Sequence, residues 1–211
     1  MWQIWSLPFY VTLVTVVLSI PVGFYLAWIM DGKYRAPSWL RWFEDHLNTG
    51  GQNWKQYTVA ILVFSTVMFL AGYAVLQAQA LFPLNPDNRG TLSPTTVFNT
   101  VASFMTNTNL QHYSGDQHLS YFSQIGFIIF NMFASAAIGL CCLAAIIRAL
   151  RSDANMGNFY VDMWRVLMYA FLPASLLMGV ILMARGQPMT LQPMAQVATL
   201  ESGAMGTGES C

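Results

Sequence analysis

Four long apolar stretches without charged residues organise this chain of 211 residues. They run from about Ile4 to Met30, Tyr57 to Leu81, Leu119 to Ile147 and Val166 to Ala184. Each is at or near the roughly 20 residues that an α-helix needs to cross the hydrocarbon core of a bilayer. The pattern therefore predicts four transmembrane helices, of which the first and third are long enough to tilt.

The segment between the second and third stretches predicts a helix that is too short to cross the membrane. Ser93 followed by Pro94 is typical of a helix start, because serine caps the first turn and proline lacks only an N–H without a helical partner. Apolar residues then recur along one helical face: Val97, Val101, Phe104 and Met105. About twelve residues at 1.5 Å each give roughly 18 Å, little more than half of the hydrocarbon thickness. We expect this half-helix to enter the membrane and stop.

A polar turn, Thr106, Asn107, Thr108 and Asn109, follows the half-helix directly. The carbonyl end of a helix favours a cation, and non-helical backbone at membrane depth is tolerated where protein buries it or where it lines a wet cavity. Main-chain oxygens that replace the water shell of an ion are the chemistry of a channel filter. The residues alone leave two interpretations open, a re-entrant pore loop in a cation pathway and an ordinary polar loop.

Composition supports the membrane class and excludes others. Charged residues make up 9% of the chain and hydrophobic residues 55%, against roughly 25% charged residues in ordinary soluble domains. The net charge is zero, so nothing suggests nucleic-acid binding. The chain has no glycine-rich phosphate loop, no phosphorylatable aspartate motif and no nucleophile-and-base pair, so we expect no catalysis by this chain itself.

The basic residues predict the orientation in the membrane. Seven lie in or beside the loops after the first and third stretches, and two lie on the opposite side: Lys33, Arg35, Arg41, Lys55, Arg148, Arg151 and Arg165 against Arg89 and Arg185. The positive-inside rule then places the first and third loops in the cytoplasm, with the N-terminus and the pore loop outside. Trp28, Trp39, Trp42 and Trp54 fit an aromatic belt at the cytoplasmic interface.

Other polar residues near the turn have weaker interpretations. Asn131, Ser135 and Cys142 fall within roughly 20° of the direction of Gln124 on an ideal helix. This stripe either packs against a neighbouring helix or lines the inner vestibule of an ion path. Asp116 is either a solvated carboxylate or a residue that concentrates cations at the mouth. His112 and His118 flank it without a cysteine or a second carboxylate nearby, so we expect no metal site there.

The tract VASFMTNTNLQHYSGDQHLSYFSQ strongly resembles the first pore loop of the KdpA family, the potassium-binding subunits of the bacterial Kdp potassium-transporting ATPase. The matches continue on both sides of the tract, from about Pro21 to Leu182: Asn53-Trp54-Lys55-Gln56-Tyr57, Leu84-Asn85-Pro86, Arg148-Ala149-Leu150, and Val161-Asp162 with Arg165. The resemblance implies an all-α integral membrane fold of helix–pore loop–helix repeats that is similar to potassium channels. It also implies a bacterial plasma-membrane location, potassium as the transported ligand and no bound cofactor.

Mapped onto this chain, the resemblance implies four regions. Residues 1–56 are an extra N-terminal helix with its cytoplasmic loop, 57–150 are the first repeat, 151–185 open a second repeat, and 186–211 are a polar tail that we expect to be disordered. The filter positions are Thr106, Asn107, Thr108 and Asn109, which act mainly through their carbonyl oxygens. The implied partners are a KdpB-type ATP-hydrolysing subunit, a KdpC-type subunit and a small KdpF-type peptide.

The family has four pore loops and this chain has one, so the chain is interpreted as the N-terminal part of such a subunit. One loop supplies roughly a quarter of an ion cage. Two further hypotheses stay open, an autonomous cation channel made of several copies of the chain and a membrane fragment that conducts nothing. The channel would pass ions without ATP or partners, and the fragment would bind no potassium in any assembly.

Overall fold

A computed structural model describes residues 2–187, 191, 195–198 and 205–208 of the chain. The helices are α1 (Trp2–Met30), α2 (Ser38–Leu47), α3 (Trp54–Gln77), α4 (Pro94–Met105), α5 (Gly115–His118), α6 (Tyr121–Leu150) and α7 (Phe159–Ala184). A 3₁₀ turn, Gln79–Leu81, follows α3, and π-helical stretches lie within α6 (Gln124–Ile129) and α7 (Val166–Phe171). Helices α1, α3, α6 and α7 are long and apolar enough to cross a membrane. The predicted helical membrane fold with four spans is confirmed.

Two of the predicted spans begin too late. Helix α3 starts at Trp54 rather than Tyr57, because Asn53 and Gln56 form a reciprocal capping box with N···O distances of 3.0 Å. Helix α7 starts at Phe159 rather than Val166, after the N-cap residue Asn158. The charge on Arg165 predicts a boundary there, but Arg165 lies inside the helix because the carboxylate of Glu44 neutralises it.

Helix α2 is not among the predicted elements, because its basic residues and tryptophans indicated only a cytoplasmic loop at the membrane interface. It leaves aromatic side chains exposed, Trp39 at 61%, Trp42 at 55% and Phe43 at 44%. The ring of Phe43 also stacks on Trp164 of α7, with a centroid distance of 5.4 Å. An amphipathic helix with exposed tryptophans is typical of a segment that lies in the membrane interface.

The described core has two apolar clusters that follow α3 along its length. Near the start of α3, Tyr57 and Ala60 pack against Ala134 and Ala137 of α6 and Phe159 of α7. The second cluster lies near the end of α3 and holds the half-helix between α3 and α6: Leu76, Val97, Val101, Phe104, Leu119 and Phe127. Since α2 precedes α3 and α4 follows it, the two clusters mark an α2 end and an α4 end of the bundle.

Glycine at position 72 sets the distance between α3 and α6 beside the half-helix. Gly72 is buried, and a Cβ built there would overlap the ring of Phe127. Because only glycine leaves room for this ring, α3 and α6 come close together at the level of α4. Phe127 in turn packs in the same apolar cluster as Val97, Val101 and Phe104 of α4.

The segment 186–211 contains two short strands, β1 (Ala195–Ala198) and β2 (Met205–Gly208). They pair antiparallel, with Ala195 opposite Gly208 and Ala198 opposite Met205. Most of the other residues of this segment lie outside the described ones, and the expectation of disorder stays a prediction for them. The four region boundaries stay predictions as well.

Candidate ion filter

The half-helix has the bounds that the sequence predicts. Helix α4 runs from Pro94 to Met105, with Ser93 as N-cap, and the hydroxyl of Ser93 accepts a hydrogen bond from the N–H of Thr96 at 3.3 Å. Its twelve residues correspond to about 18 Å. The last turn of α4 leads directly into Thr106, whose N–H still donates to Ala102 O at 3.1 Å. The turn 106–109 therefore lies at the carbonyl end of the helix, where the dipole favours a cation.

Two asparagines give this turn its shape. Asn107 and Asn109 have φ angles of 58° and 54°, in the left-handed region, whereas Thr106 between the helix and the turn has a φ of −86°. Asparagine adopts left-handed angles more readily than most other residues with a side chain. The two asparagines of the turn therefore occupy the two positions at which its backbone is left-handed.

Three consecutive backbone N–H groups, those of Thr108, Asn109 and Leu110, converge on a single residue of α4, Ser103. The N–H groups of Thr108 and Asn109 donate to Ser103 O at 3.0 and 3.3 Å, and the N–H of Leu110 donates to Ser103 Oγ at 2.8 Å. In a trans peptide, the carbonyl points away from the N–H of the same plane. The carbonyl oxygens of Asn107, Thr108 and Asn109 consequently point away from Ser103 and the body of α4.

The side chains of the tetrad hold the turn together. Thr106 Oγ1 donates to Ala102 O at 2.9 Å and lies 2.8 Å from Thr108 Oγ1. Asn109 Nδ2 donates to Asn107 Oδ1 at 3.3 Å. Thr106, Asn107 and Thr108 are exposed and Asn109 is half-buried, so the turn presents an accessible row of acceptor atoms.

The polar face of α4 anchors the chain that follows the turn. Thr100 and Ser103, two polar residues of α4, are buried. The hydroxyls of Thr100 and Tyr113 lie 2.9 Å apart, so the segment after the turn folds back onto α4. Burial raises the pKa of Tyr113, and the hydrogen bond with Thr100 opposes part of this shift. The Tyr113 hydroxyl therefore keeps its proton in the neutral range.

The buried amide of Gln79 joins the two connections that flank α4. Its Nε2 donates to His118 O at 3.0 Å and to Gly90 O, and its Oε1 accepts from the N–H of Ser120 at 3.3 Å. Gly90 lies before α4 and the other two residues lie after the turn. This side chain therefore ties the entry and the exit of the half-helix to the end of α3.

The predicted vestibule residues do not form one straight stripe. The π-helical stretch Gln124–Ile129 changes the helical phase of α6, so the ideal-helix angle between Gln124 and the later residues does not apply. Gln124 is half-buried and donates to Leu119 O at 3.3 Å. Asn131 and Ser135 are buried, and Ser135 Oγ lies 3.3 Å from Asn107 Oδ1 of the turn. Ser135 thus lies beside the turn, and Asn131 lies one helical turn before it on α6.

The acidic and histidine side chains after the turn do not form a metal site. Asp116, His112 and His118 are exposed, and His118 Nδ1 contacts Ser114 O at 3.0 Å. Within the described part of the chain, no three His, Cys, Asp or Glu side chains are close enough together to hold a metal ion.

A second polar network, which the sequence reasoning missed, lies at the α2 end. Arg148 of α6 and Asp162 of α7 form a bidentate ion pair, with N···O distances of 2.5 and 2.9 Å, and Tyr57 Oη donates to the same carboxylate at 2.9 Å. Arg165 Nε donates to Glu44 Oε1 of α2 at 2.7 Å. Both guanidinium groups also donate to Met30 O at the end of α1, at 3.4 and 2.8 Å. The sequence offers one signal for these ion pairs. Acidic and basic residues, among them Arg148 and Asp162, stand at the edges of the apolar stretches, where a charge needs a partner of opposite sign.

Comparison with known proteins gives a family. The model of the potassium-transporting ATPase A subunit family, KdpA, matches residues 9–208, which is nearly the whole chain and includes α4 and the turn. The chain belongs to the KdpA family. The resemblance on which the sequence analysis relied is thereby confirmed.

Individual KdpA relatives agree with this result. The chain is 38% identical over 218 residues to the potassium-transporting ATPase potassium-binding subunit of Geobacillus kaustophilus, covering 96% of this chain and 38% of the relative. It is 43% identical over 152 residues to the protein of the same name from Caldanaerobacter subterraneus, covering 72% and 27%. For the Pseudomonas aeruginosa protein, the values are 42% over 152 residues, with 71% and 27% covered. The names describe a potassium-binding subunit, in agreement with a non-catalytic role.

The chain spans less than two fifths of the length of these KdpA relatives. This difference in length fits the expectation that the chain is one part of a longer subunit.

Proposed function

We propose that this chain is the N-terminal part of the potassium-selecting and translocating subunit of a bacterial ATP-driven potassium uptake complex. In this proposal, the half-helix α4 is re-entrant from the outer face of the plasma membrane. Thr106, Asn107, Thr108 and Asn109 form one of four contributions to the filter. Potassium passes from the filter to a KdpB-type ATP-hydrolysing subunit, and KdpC-type and KdpF-type partners complete the complex.

The convergence of the N–H groups of Thr108, Asn109 and Leu110 on Ser103 carries this proposal. It occupies the donors of the turn on the side of α4, so that carbonyl oxygens face the accessible side, where a dehydrated cation needs them. The helix dipole adds a negative potential at the same place. The carbonyl oxygens and the helix dipole each attract a cation weakly. Together they would form a cation site that contains no carboxylate.

A carboxylate placed in the turn tests the proposal. In the assembled complex encoded by the gene for this chain and those of its partners, Thr106→Asp and Asn107→Asp are expected to change the apparent potassium affinity or the selectivity over sodium and rubidium. The physical reason is that a full negative charge at the constriction replaces neutral dipoles and binds a cation by a different balance of attraction and dehydration.

Asn88→Asp is the matched control, because Asn88 is another exposed residue with a left-handed φ, 52°, in the connection before α4. It introduces the same charge at the α4 end of the bundle, outside the turn. If both turn variants keep the uptake kinetics of the unsubstituted complex, the assignment of the filter to this turn is wrong. Ion flux through the chain without ATP or partners would instead favour an autonomous channel.

A further inference from the structure

A buried amide in α6 has no partner for either of its polar atoms. Asn131 is 0% exposed, and neither its Oδ1 nor its Nδ2 has a hydrogen-bond partner among the described residues. A buried polar group of this kind is costly unless a further molecule satisfies it. It lies in the middle of an apolar helix, where packing alone would favour an apolar side chain.

The position of Asn131 relates it to the filter turn. Its own carbonyl accepts a hydrogen bond from Ser135 Oγ at 2.7 Å, one helical turn along α6. The same hydroxyl oxygen lies 3.3 Å from Asn107 Oδ1, and Asn107 in turn accepts from Asn109 Nδ2 at 3.3 Å. A continuous polar chain therefore leads from α6 to both left-handed residues of the turn.

A second unpartnered atom lies in this chain of contacts. Asn109 Oδ1 is buried and also has no partner among the described residues. A water molecule can donate to the oxygen of one amide and accept from the nitrogen of another, whereas a potassium ion can satisfy only oxygens. The unpartnered set contains both kinds of atom, so water is the molecule that fits it.

We propose that Asn131 and Ser135 are positioning residues for the filter, and that a bound water at the Asn131 amide links them to the back of the turn. They act through Asn107 and Asn109 and hold the left-handed backbone angles that direct the carbonyl oxygens. This inference rests on the proposed function, and it gives α6 a part in ion selectivity. The rigidity of the turn, rather than its composition alone, then sets the discrimination between potassium and the slightly larger rubidium ion.

The test compares substitutions on α6 with a matched change elsewhere. In the assembled complex, Ser135→Ala and Asn131→Leu are expected to lower the potassium-over-rubidium ratio of apparent affinities about fivefold, equivalent to about 1 kcal/mol. Ser135→Thr keeps the hydroxyl and is expected to keep the ratio. Ser175→Ala is the control, because Ser175 makes the same kind of hydroxyl-to-backbone bond, to Leu172 O at 3.0 Å, away from the turn.

The outcomes separate this inference from the proposed function. If the two aspartate variants of the turn change selectivity while Ser135→Ala behaves like Ser175→Ala, the filter stands and the role of α6 is wrong. If Asn131→Leu fails to assemble, the Ser135→Ala and Ser135→Thr pair decides the question. A density map of the complex that resolves buried waters elsewhere but none at the Asn131 amide would overturn the water site.

Discussion

Removal of the Tyr25 hydroxyl should weaken the packing of α1 against α7. The hydroxyl donates to a backbone carbonyl of α7 that has no i+4 donor, because the residue four positions later is a proline. Pro173 has no N–H, so the carbonyl of Tyr169, four residues earlier and within the π-helical stretch of α7, has no i+4 donor. Tyr25 Oη of α1 donates to that carbonyl at 2.6 Å. Inside a membrane such a carbonyl must find a substitute donor, and in the described structure Tyr25 is that substitute.

The expected cost of Tyr25→Phe is about 1 kcal/mol. Hydrogen bonds between transmembrane helices average about 0.6 kcal/mol and reach about 1.7 kcal/mol. The short distance and the lack of an i+4 donor place this bond in the upper part of that range. The substitution removes only an oxygen atom and keeps the ring, which lies with its centroid 6.0 Å from that of Trp28.

A double-mutant cycle isolates the mechanism. Pro173→Ala supplies an N–H to the Tyr169 carbonyl, so in that background Tyr25→Phe is expected to cost close to nothing. The free energies of unfolding of the four proteins are measured by titration with denaturing detergent in mixed micelles, with tryptophan fluorescence as the signal. Tyr10→Phe is the control, since Tyr10 lies in the same helix and is 61% exposed.

The result that refutes this reasoning is an equal cost of Tyr25→Phe in both backgrounds. The hydroxyl would then not substitute for the donor that Pro173 lacks. No cost in either background would likewise show that the contact contributes nothing to the packing of α1.

Two other substitutions test contacts at opposite ends of the bundle. Asp162→Ala leaves the largely buried Arg148 without its carboxylate and should lower the free energy of unfolding by about 3–5 kcal/mol in the same detergent titration. Asp153→Ala is the control at a more exposed ion pair and should lower it by less than about 1 kcal/mol. Equal losses in the two variants would contradict the role of burial. Gly72→Ala places a methyl group against the ring of Phe127 and should cost about 1–3 kcal/mol. Gly139→Ala, with open space around the new Cβ, is its control, and a neutral Gly72→Ala would show that α3 and α6 separate without cost.

Much of the architecture follows from local patterns in the sequence. The apolar stretches predicted α1, α3, α6 and α7 because an α-helix satisfies its own backbone in lipid, whatever its neighbours are. The Ser93-Pro94 start predicted α4 correctly, since capping involves only residues within one turn. The boundary errors at α3 and α7 arose where a charge was interpreted as the end of a span, although Arg165 lies inside α7 with Glu44 as its partner.

The turn 106–109 likewise has both local and tertiary causes. Its place after α4 and the suitability of Asn107 and Asn109 for left-handed angles depend on neighbouring residues, so the sequence predicts them. The π-helical stretch at Gln124–Ile129 is different, because it changes the phase of α6 without any strong composition signal. For that reason the ideal-helix stripe from Gln124 to Ser135 was only partly useful.

The sequence by itself determined the membrane class, the helices that span, the half-helix and the polar turn behind it, because hydrophobic length and capping act over short distances. Only the tertiary structure decided which groups meet across the chain. It brought Asp162 to Arg148 and Tyr57, and both Arg148 and Arg165 to the carbonyl of Met30. It also placed Ser135 beside Asn107. The physical reason is that buried polar groups need partners, and which partner lies within reach depends on how the helices pack.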